Sequence, residues 1–388
     1  MIKTLTAYTK EIDDPEAAVA ELLKQLDLPK NQLKHSVGLI SCYPEFTEKE
    51  TGFLPALHKA LPFDIVGSTT CLCATEGQVD MIQLSLTVLT SDDVEFRAAR
   101  TGSVLQGADK PVAEAYAAAT KDRKDKPAMA FVYVPLLISV AGDVVMAALD
   151  KESGGIPLFG SVSLDNKTDY STARTIFNEE ADREKLSFVL VYGKIDVSFD
   201  VVSLNEDKVI KQKAIITASQ GNLLIGVNNV SALEYLLSIG LTRDELSMGL
   251  GVVPITVDYR DGTQPVARAV FTTTPEGYAV CGGEMPVNMS LGVGRIDAAD
   301  VLKTAEASAQ KMVASDGSGV LSFSCMARYL VLGARSMMEA ETIGRVMSEK
   351  KMPYQVMYSG GEICPLPDKN GVMKNRLHNF TCVMCRIK

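Results

Sequence analysis

Tryptophan is absent from the 388 residues and only three histidines occur, His35, His58 and His378, so chemistry that needs an imidazole has three candidates at most. Basic charge is also short. Lys and Arg number 39 against 48 Asp and Glu, a formal net charge of -9, which leaves no field to attract a phosphate backbone or an anionic membrane surface. Nucleic acid and membrane are excluded as partners on that ground. No apolar run reaches the roughly 20 residues of a membrane span. The longest, Ala128 to Ala141, is broken by Pro135 and closed by Gly142 and Asp143, and reads as a buried strand running into a loop. The stretch from Met1 to Asp14 lacks the apolar core and basic leader of a signal peptide, so a cytoplasmic location is expected. The eight cysteines are then reduced and serve mostly as small buried hydrophobes. The nucleophile elbow G-x-S-x-G, the Walker A loop, the kinase signatures and H-E-x-x-H are all missing.

What is present is a globular composition, 46% apolar and 22% charged, and a unit that repeats. Asp14 is the expected N-cap of an amphipathic helix, with Pro15 in its first turn and Val19, Leu22, Leu23 and Leu26 on one face. A strand Ser36 to Ser41, a turn at Tyr43-Pro44, a short helix near Leu54 to Ala60, the segment Ile65-Val66-Gly67-Ser68-Thr69-Thr70 and two further strands complete the first unit. The second has a helix near Pro111 to Thr120, a strand Ala130 to Val134, a helix near Asp143 to Asp150 and the matching segment Phe159-Gly160-Ser161-Val162-Ser163. Ile40 to Gly67 and Tyr133 to Gly160 are both 27 residues apart. A third copy lies at the C-terminus: a helix from Asp297, strand Gly319 to Ser324, a helix near Met337 to Lys350, the segment Tyr354 to Glu362, and a strand from His378 to Ile387. Residues 221–296 stand between, opening with a helix capped by a Ser231 and Glu234 capping box.

Helices joined to strands by short turns imply an α+β fold of repeated helix-strand-helix-strands units, forming mixed sheets covered by helices in two similar halves. The polar restart at Asn205-Glu206-Asp207-Lys208 sets the expected domains at 1–205 and 206–388.

Several short motifs share an order: Val37-Gly38-Leu39-Ile40-Ser41, the two Gly-Ser segments, Ser322-Phe323-Ser324-Cys325-Met326-Ala327-Arg328, the acidic Glu339-Ala340-Glu341, Gly360-Gly361-Glu362-Ile363-Cys364-Pro365, and His378-Asn379-Phe380-Thr381. In these the chain resembles the FIST family, with an N-terminal and a C-terminal FIST domain in tandem. The resemblance implies a non-enzymatic sensory module of bacterial signal transduction. It would bind a small molecule such as an amino acid and report to a separate output protein, such as a sensor kinase, a chemoreceptor or a cyclic-di-GMP enzyme. The resemblance also implies an alternative, a haem-dependent nitric oxide sensor.

The residues expected to bind ligand are Arg328, Glu362, His378, Ser324, Cys325, Gly361, Asn379, Ser68 and Ser161. An arginine can clamp a carboxylate through two parallel hydrogen bonds and a glutamate can accept from an ammonium, so Arg328 with Glu362 suits a zwitterion. The competing reading is that both are structural ion-pair partners. The Gly67-Ser68 and Gly160-Ser161 segments are small turns able to bring backbone N–H groups to a ligand oxygen, or simply tight strand turns. His378 is the haem ligand if one exists, otherwise a hydrogen-bonded core residue. Cys325 beside His378 offers the residue types of a thiol hydrolase. No metal is expected. Cys382 and Cys385, three apart on a strand, point to opposite faces, and Cys71 with Cys73, on one face, lacks two further ligands.

Overall fold

The structure is a computed structural model that describes residues 1–167, 169–204, 206–247 and 253–388. Asn205, at the expected domain boundary, lies outside the described residues. Three sheets of six strands repeat one plan. In the first, the order is β1 (Ile2–Thr9), β6 (Leu84–Ser91), β2 (His35–Cys42), β3 (Ile65–Thr69), β10 (Thr175–Phe177) and β11 (Glu180–Asp182). The second runs β7 (Glu95–Ser103), β12 (Lys185–Tyr192), β8 (Met129–Val134), β9 (Leu158–Val162), β16 (Glu362–Pro367), β17 (Met373–His378). The third runs β13 (Val197–Val202), β18 (Cys382–Ile387), β14 (Gly319–Cys325), β15 (Tyr354–Ser359), β4 (Cys73–Thr75), β5 (Gln78–Asp80).

Each sheet therefore has one parallel pair, β2 with β3, β8 with β9 and β14 with β15, flanked by antiparallel strands. Each also ends in a hairpin borrowed from another unit. The first unit lends β4 and β5 to the third sheet, the second lends β10 and β11 to the first, and the third lends β16 and β17 to the second. The exchange closes a ring with pseudo-threefold symmetry, and strands from both sides of residue 205 share two of its sheets. This is an α+β fold of mixed sheets covered by helices. The repeated units number three, and the segment between Val209 and Gly294 builds a separate eight-stranded sheet, the insert, inside the third unit.

The strands are buried on both faces because each sheet has two cores to serve. Inward residues from all three sheets, among them Leu39, Phe131, Phe159, Phe323, Met357 and Val383, meet in one central cluster. Phe159 and Phe323 stack there with ring centroids 4.9 Å apart, so the ring is filled rather than hollow. Outward residues pack under paired helices: α1 (Pro15–Leu26) with α2 (Phe53–Ala60), α3 (Asp109–Thr120) with α4 (Gly142–Ser153), and α5 (Ala298–Val313) with α7 (Met338–Glu349), which follows the short α6 (Met326–Leu332). The caps form as expected: Asp14 accepts from Glu16 and Ala17 N–H, and Ser231 with Glu234, like Asp297 with Asp300, makes a capping box. Among the described residues, no helix is long and apolar enough to cross a membrane.

The Gly-Ser segments are strand interiors, not turns. A Cβ on Gly67 would stand 1.9 Å from the Ile40 carbonyl oxygen, and one on Gly160 1.8 Å from that of Val132. The glycines let the parallel strands approach at equivalent places, Ile40 opposite Gly67 and Val132, not Tyr133, opposite Gly160. The expected single strand His378 to Ile387 is two strands, since Phe380 takes φ 56° and breaks it. Cys382 and Cys385 do face opposite cores. Cys71 and Cys73 also fall in different cores, because a bend precedes β4 and removes the alternation assumed for them.

Candidate functional site: the cleft between insert and ring

Arg328 does not close a strand. It lies on α6, fully buried, with Nε and Nη2 engaged within the fold and Nη1 without a hydrogen-bond partner among the described residues. Nε donates to Glu339 Oε1 at 2.8 Å, and Nη2 sits 2.6 Å from the same oxygen, while Nη2 also donates to the Val301 carbonyl and to Thr304 Oγ1. Ser324 Oγ and Tyr358 Oη donate to the other oxygen, Glu339 Oε2, at 2.8 and 3.0 Å. A buried carboxylate with three protein partners ties α5, α6, α7 and the third sheet together. Arg328 and Ser324 thus both engage Glu339, and no hydrogen bond joins Arg328 to Glu362.

Glu362 opens β16, fully buried, opposite Ser161 and His378 in the sheet. Ser359 Oγ donates to Oε1 at 2.5 Å and Thr381 Oγ1 to Oε2 at 2.6 Å. Burial nevertheless pushes its pKa up to about 8, so the carboxyl holds a proton at neutral pH. His378 ends β17 instead of starting the last strand. Its Nε2 lies 2.9 Å from the Cys364 carbonyl oxygen, and burial lowers its pKa to about 4. Ser68 and Ser161 face the central core, Ser68 Oγ without a hydrogen-bond partner and Ser161 Oγ 4.0 Å from Met357 Sδ. These positions do not converge on one space.

One group of cavities lies between the insert and the ring, apart from the larger open hollows on the first unit beside Tyr8 and Gln25. A chamber of about 30 Å³ is bordered by Leu136, Leu164, Tyr170, Phe271, Cys325 and Gly360, among others. It sits at the carboxyl ends of two parallel pairs: Cys325 and Ser359 end β14 and β15, and Leu136 and Leu164 follow β8 and β9. That is where ligands bind in open α/β sheets. A neck of about 20 Å³ shares Leu136, Phe271 and Gly360 with the chamber. The neck shares Ala141 and Asn222 with a mouth of about 460 Å³ at the surface, bordered by Ile138, Val140, Val144 and Val280.

Of the residues expected from sequence, Cys325 borders the chamber, and Asn379 stands behind the neck, where its Oδ1 accepts from the Ala269 N–H at 3.2 Å and holds insert to ring. Gly361 sits beside Asn379, close enough that a Cβ would come within 3.2 Å of its amide. A second tie was not anticipated. Arg268 of the insert, 1% exposed, reaches Asp143 Oδ2 at 3.4 Å, the Leu377 carbonyl at 2.8 Å and Tyr259 Oη at 2.6 Å. Asp143 Oδ2 also accepts from the Glu284 N–H at 2.7 Å. The sequence signal is a lone arginine inside Val266-Ala267-Arg268-Ala269-Val270, since a charge in an apolar strand needs a buried partner. Tyr170, Phe271, Leu136 and Asn222 carry no signal, because they come from separate loops and strands.

Burial, with the Glu362 carboxyl next in effect, pushes the Cys325 thiol well up, so no nucleophilic thiolate forms at neutral pH. His378 is engaged by the Cys364 carbonyl and borders neither chamber, neck nor mouth. Among the described residues, no group of three or more His, Cys, Asp or Glu is placed to hold a metal ion.

Comparison with known proteins agrees with the motif order. The FIST N domain matches residues 36–229 and the FIST C domain residues 230–365. No curated protein matches the chain. Among solved structures, cyanuric acid hydrolase from A. caulinodans aligns over 100% of this chain and 99% of its own at 9% identity and a TM-score of 0.38. T. maritima PurL complexed with FGAR aligns over 100% and 72% at 7% identity and a TM-score of 0.21. Likenesses this remote transfer no activity. The two domain matches together cover most of the chain, which belongs to the FIST family of small-ligand sensory domains.

Proposed function

We propose that the chain is a sensor in bacterial signal transduction that holds a small molecule in the cleft between insert and ring. It has no catalytic role in this reading, and reports to a separate output protein such as a sensor kinase, a chemoreceptor or a cyclic-di-GMP enzyme. The single observation that carries the reading is the series of chamber, neck and mouth at the carboxyl ends of the parallel strands, walled by ring on one side and insert on the other. A ligand there touches both bodies, so its binding energy acts on their relative position, and that position is a state a partner can read. The chamber alone, at about 30 Å³, takes only a water or two, so binding requires the insert to shift.

The polar ties that such a shift must move are localised: Asn222 Nδ2 donates to the Ile138 carbonyl at 3.4 Å, Ala269 and Arg268 make the contacts given above, and Asp261 of the insert pairs with Lys374 and Arg376 of β17 while the Lys369 N–H donates to the Gly262 carbonyl. A thermal-shift screen of small metabolites, amino acids included, tests the reading. A ligand at one hundred times its Kd is expected to add about 2.7 kcal/mol to stability. The rise in Tm should vanish in Ala327→Leu, which fills the chamber wall. A ligand whose shift is unchanged in that variant would place the site elsewhere.

A further inference from the structure

The lining of the cleft specifies the class of ligand. Chamber and neck are bordered by apolar and small residues, and among the described residues no charged side chain borders chamber, neck or mouth. The ions nearest the neck stand in pairs, Arg268 with Asp143 and Arg328 with Glu339, although Arg268 Nε, Arg328 Nη1 and Asp143 Oδ1 make no hydrogen bond among the described residues. A carboxylate or an ammonium entering the cleft would lose its hydration and meet no charged side chain on the lining itself, a large penalty. The polar groups at the mouth are neutral, Ser139, Gln220 and Asn222. The outer rim is also apolar where it meets water, with Ile138 47% exposed and Val144 37% exposed, both on the mouth. An apolar rim over a neutral lip and an apolar interior is a wall built in sequence for one kind of molecule.

We infer that the ligand is an uncharged, elongated apolar molecule with a single neutral polar end, whose chain passes Asn222 into the chamber at Cys325 and Tyr170 while the polar end stays among Ser139, Gln220 and Asn222. This rests on the cleft being the sensory site, and replaces the zwitterion clamp with a chain-length filter. Loop 135–141 is the ring-side wall from which the insert must part. Its apolar residues Leu136, Leu137 and Ile138 divide mouth from chamber, and Asn222 donates to the Ile138 carbonyl only at 3.4 Å. The length of the opened chamber then sets the longest chain admitted.

The probe is the series of straight-chain primary alcohols from hexanol to dodecanol, with leucine as the zwitterion of similar apolar size. The chain contains no tryptophan, so Phe271→Trp places a unique emitter on the wall shared by chamber and neck. Binding to the full chain carrying this emitter should tighten about fourfold per methylene, the equivalent of about 0.8 kcal/mol, and should stop improving beyond one length. Ile138→Asp, a change at an exposed position, should weaken every alcohol at least tenfold, and Ala327→Leu should shorten the optimal chain. Leucine should leave the emission unchanged. If leucine shifts the emission and the alcohols do not, the ligand class is overturned while the cleft remains the sensory site. If alcohols bind with equal affinity with and without Ile138→Asp and Ala327→Leu, they bind outside the cleft and the inference falls. If neither class shifts the emission while metabolites in the thermal screen bind elsewhere, both readings fall.

Discussion

Arg328→Ala is expected to lower stability by about 3–5 kcal/mol, the cost of leaving a buried carboxylate without its counter-ion. Glu339 would keep the hydroxyls of Ser324 and Tyr358 but lose both guanidinium contacts at a site sealed from solvent. The variant should unfold at markedly lower urea concentration. The loss in the double variant Arg328→Ala with Glu339→Ala should be far less than the sum of the two single losses, because removing both partners removes the unpaired ion. A loss below about 1 kcal/mol in Arg328→Ala, against the 3–5 expected of a broken buried pair, joined to a loss of ligand affinity, would restore the arginine to the binding site.

The second large effect is a fall in stability as pH rises from about 6.5 to 8. Glu362 ionises at about 8 in the folded chain but near 4.3 when unfolded. The folded state therefore holds one more proton between those values, and stability decreases with pH by roughly 1 kcal/mol per unit. His378 acts in the opposite direction. Its folded pKa, about 4, lies below the ordinary value near 6.5, so the unfolded chain binds the extra proton and stability is lost as pH falls through that interval. From about 4.3 to 6.5 the two slopes oppose each other, and above 6.5 only the carboxyl slope is left. The total expected loss between pH 6.5 and 8 is about 2 kcal/mol. Glu362→Gln should remove most of it, leaving a chain more stable at pH 8 than the parent. A parent protein with constant urea midpoints across this range would show that the carboxyl is ionised throughout.

Local features of the fold were readable from sequence because their physics is local. Asp14, Ser231 with Glu234, and Asp297 sit within a few residues of the N–H groups that they cap. The repeat was readable too, since three units must bury the same faces. The exchanged hairpins were not. Thr175 pairs with Ser68 and Glu362 with Ser161, contacts whose register is set by closure of the ring rather than by either segment. The same limit governed the site. Glu339 was visible as part of an acidic helix, but its facing Arg328 depends on how α6 packs on α7. Cys325 was named from the motif Ser322 to Arg328, a run of neighbouring residues that needs no distant partner to be read. Tyr170 and Phe271 were invisible because the chamber gathers them from a loop and from the insert.

The central claim is that the cleft between insert and ring is the place where a small molecule is held. Native mass spectrometry of the full chain purified from its own host tests it most directly, with the parent and Ala327→Leu compared side by side. The expected result is a retained small molecule on the parent, released on denaturation and absent from the variant. The same molecule retained in equal amount by both proteins would contradict the claim.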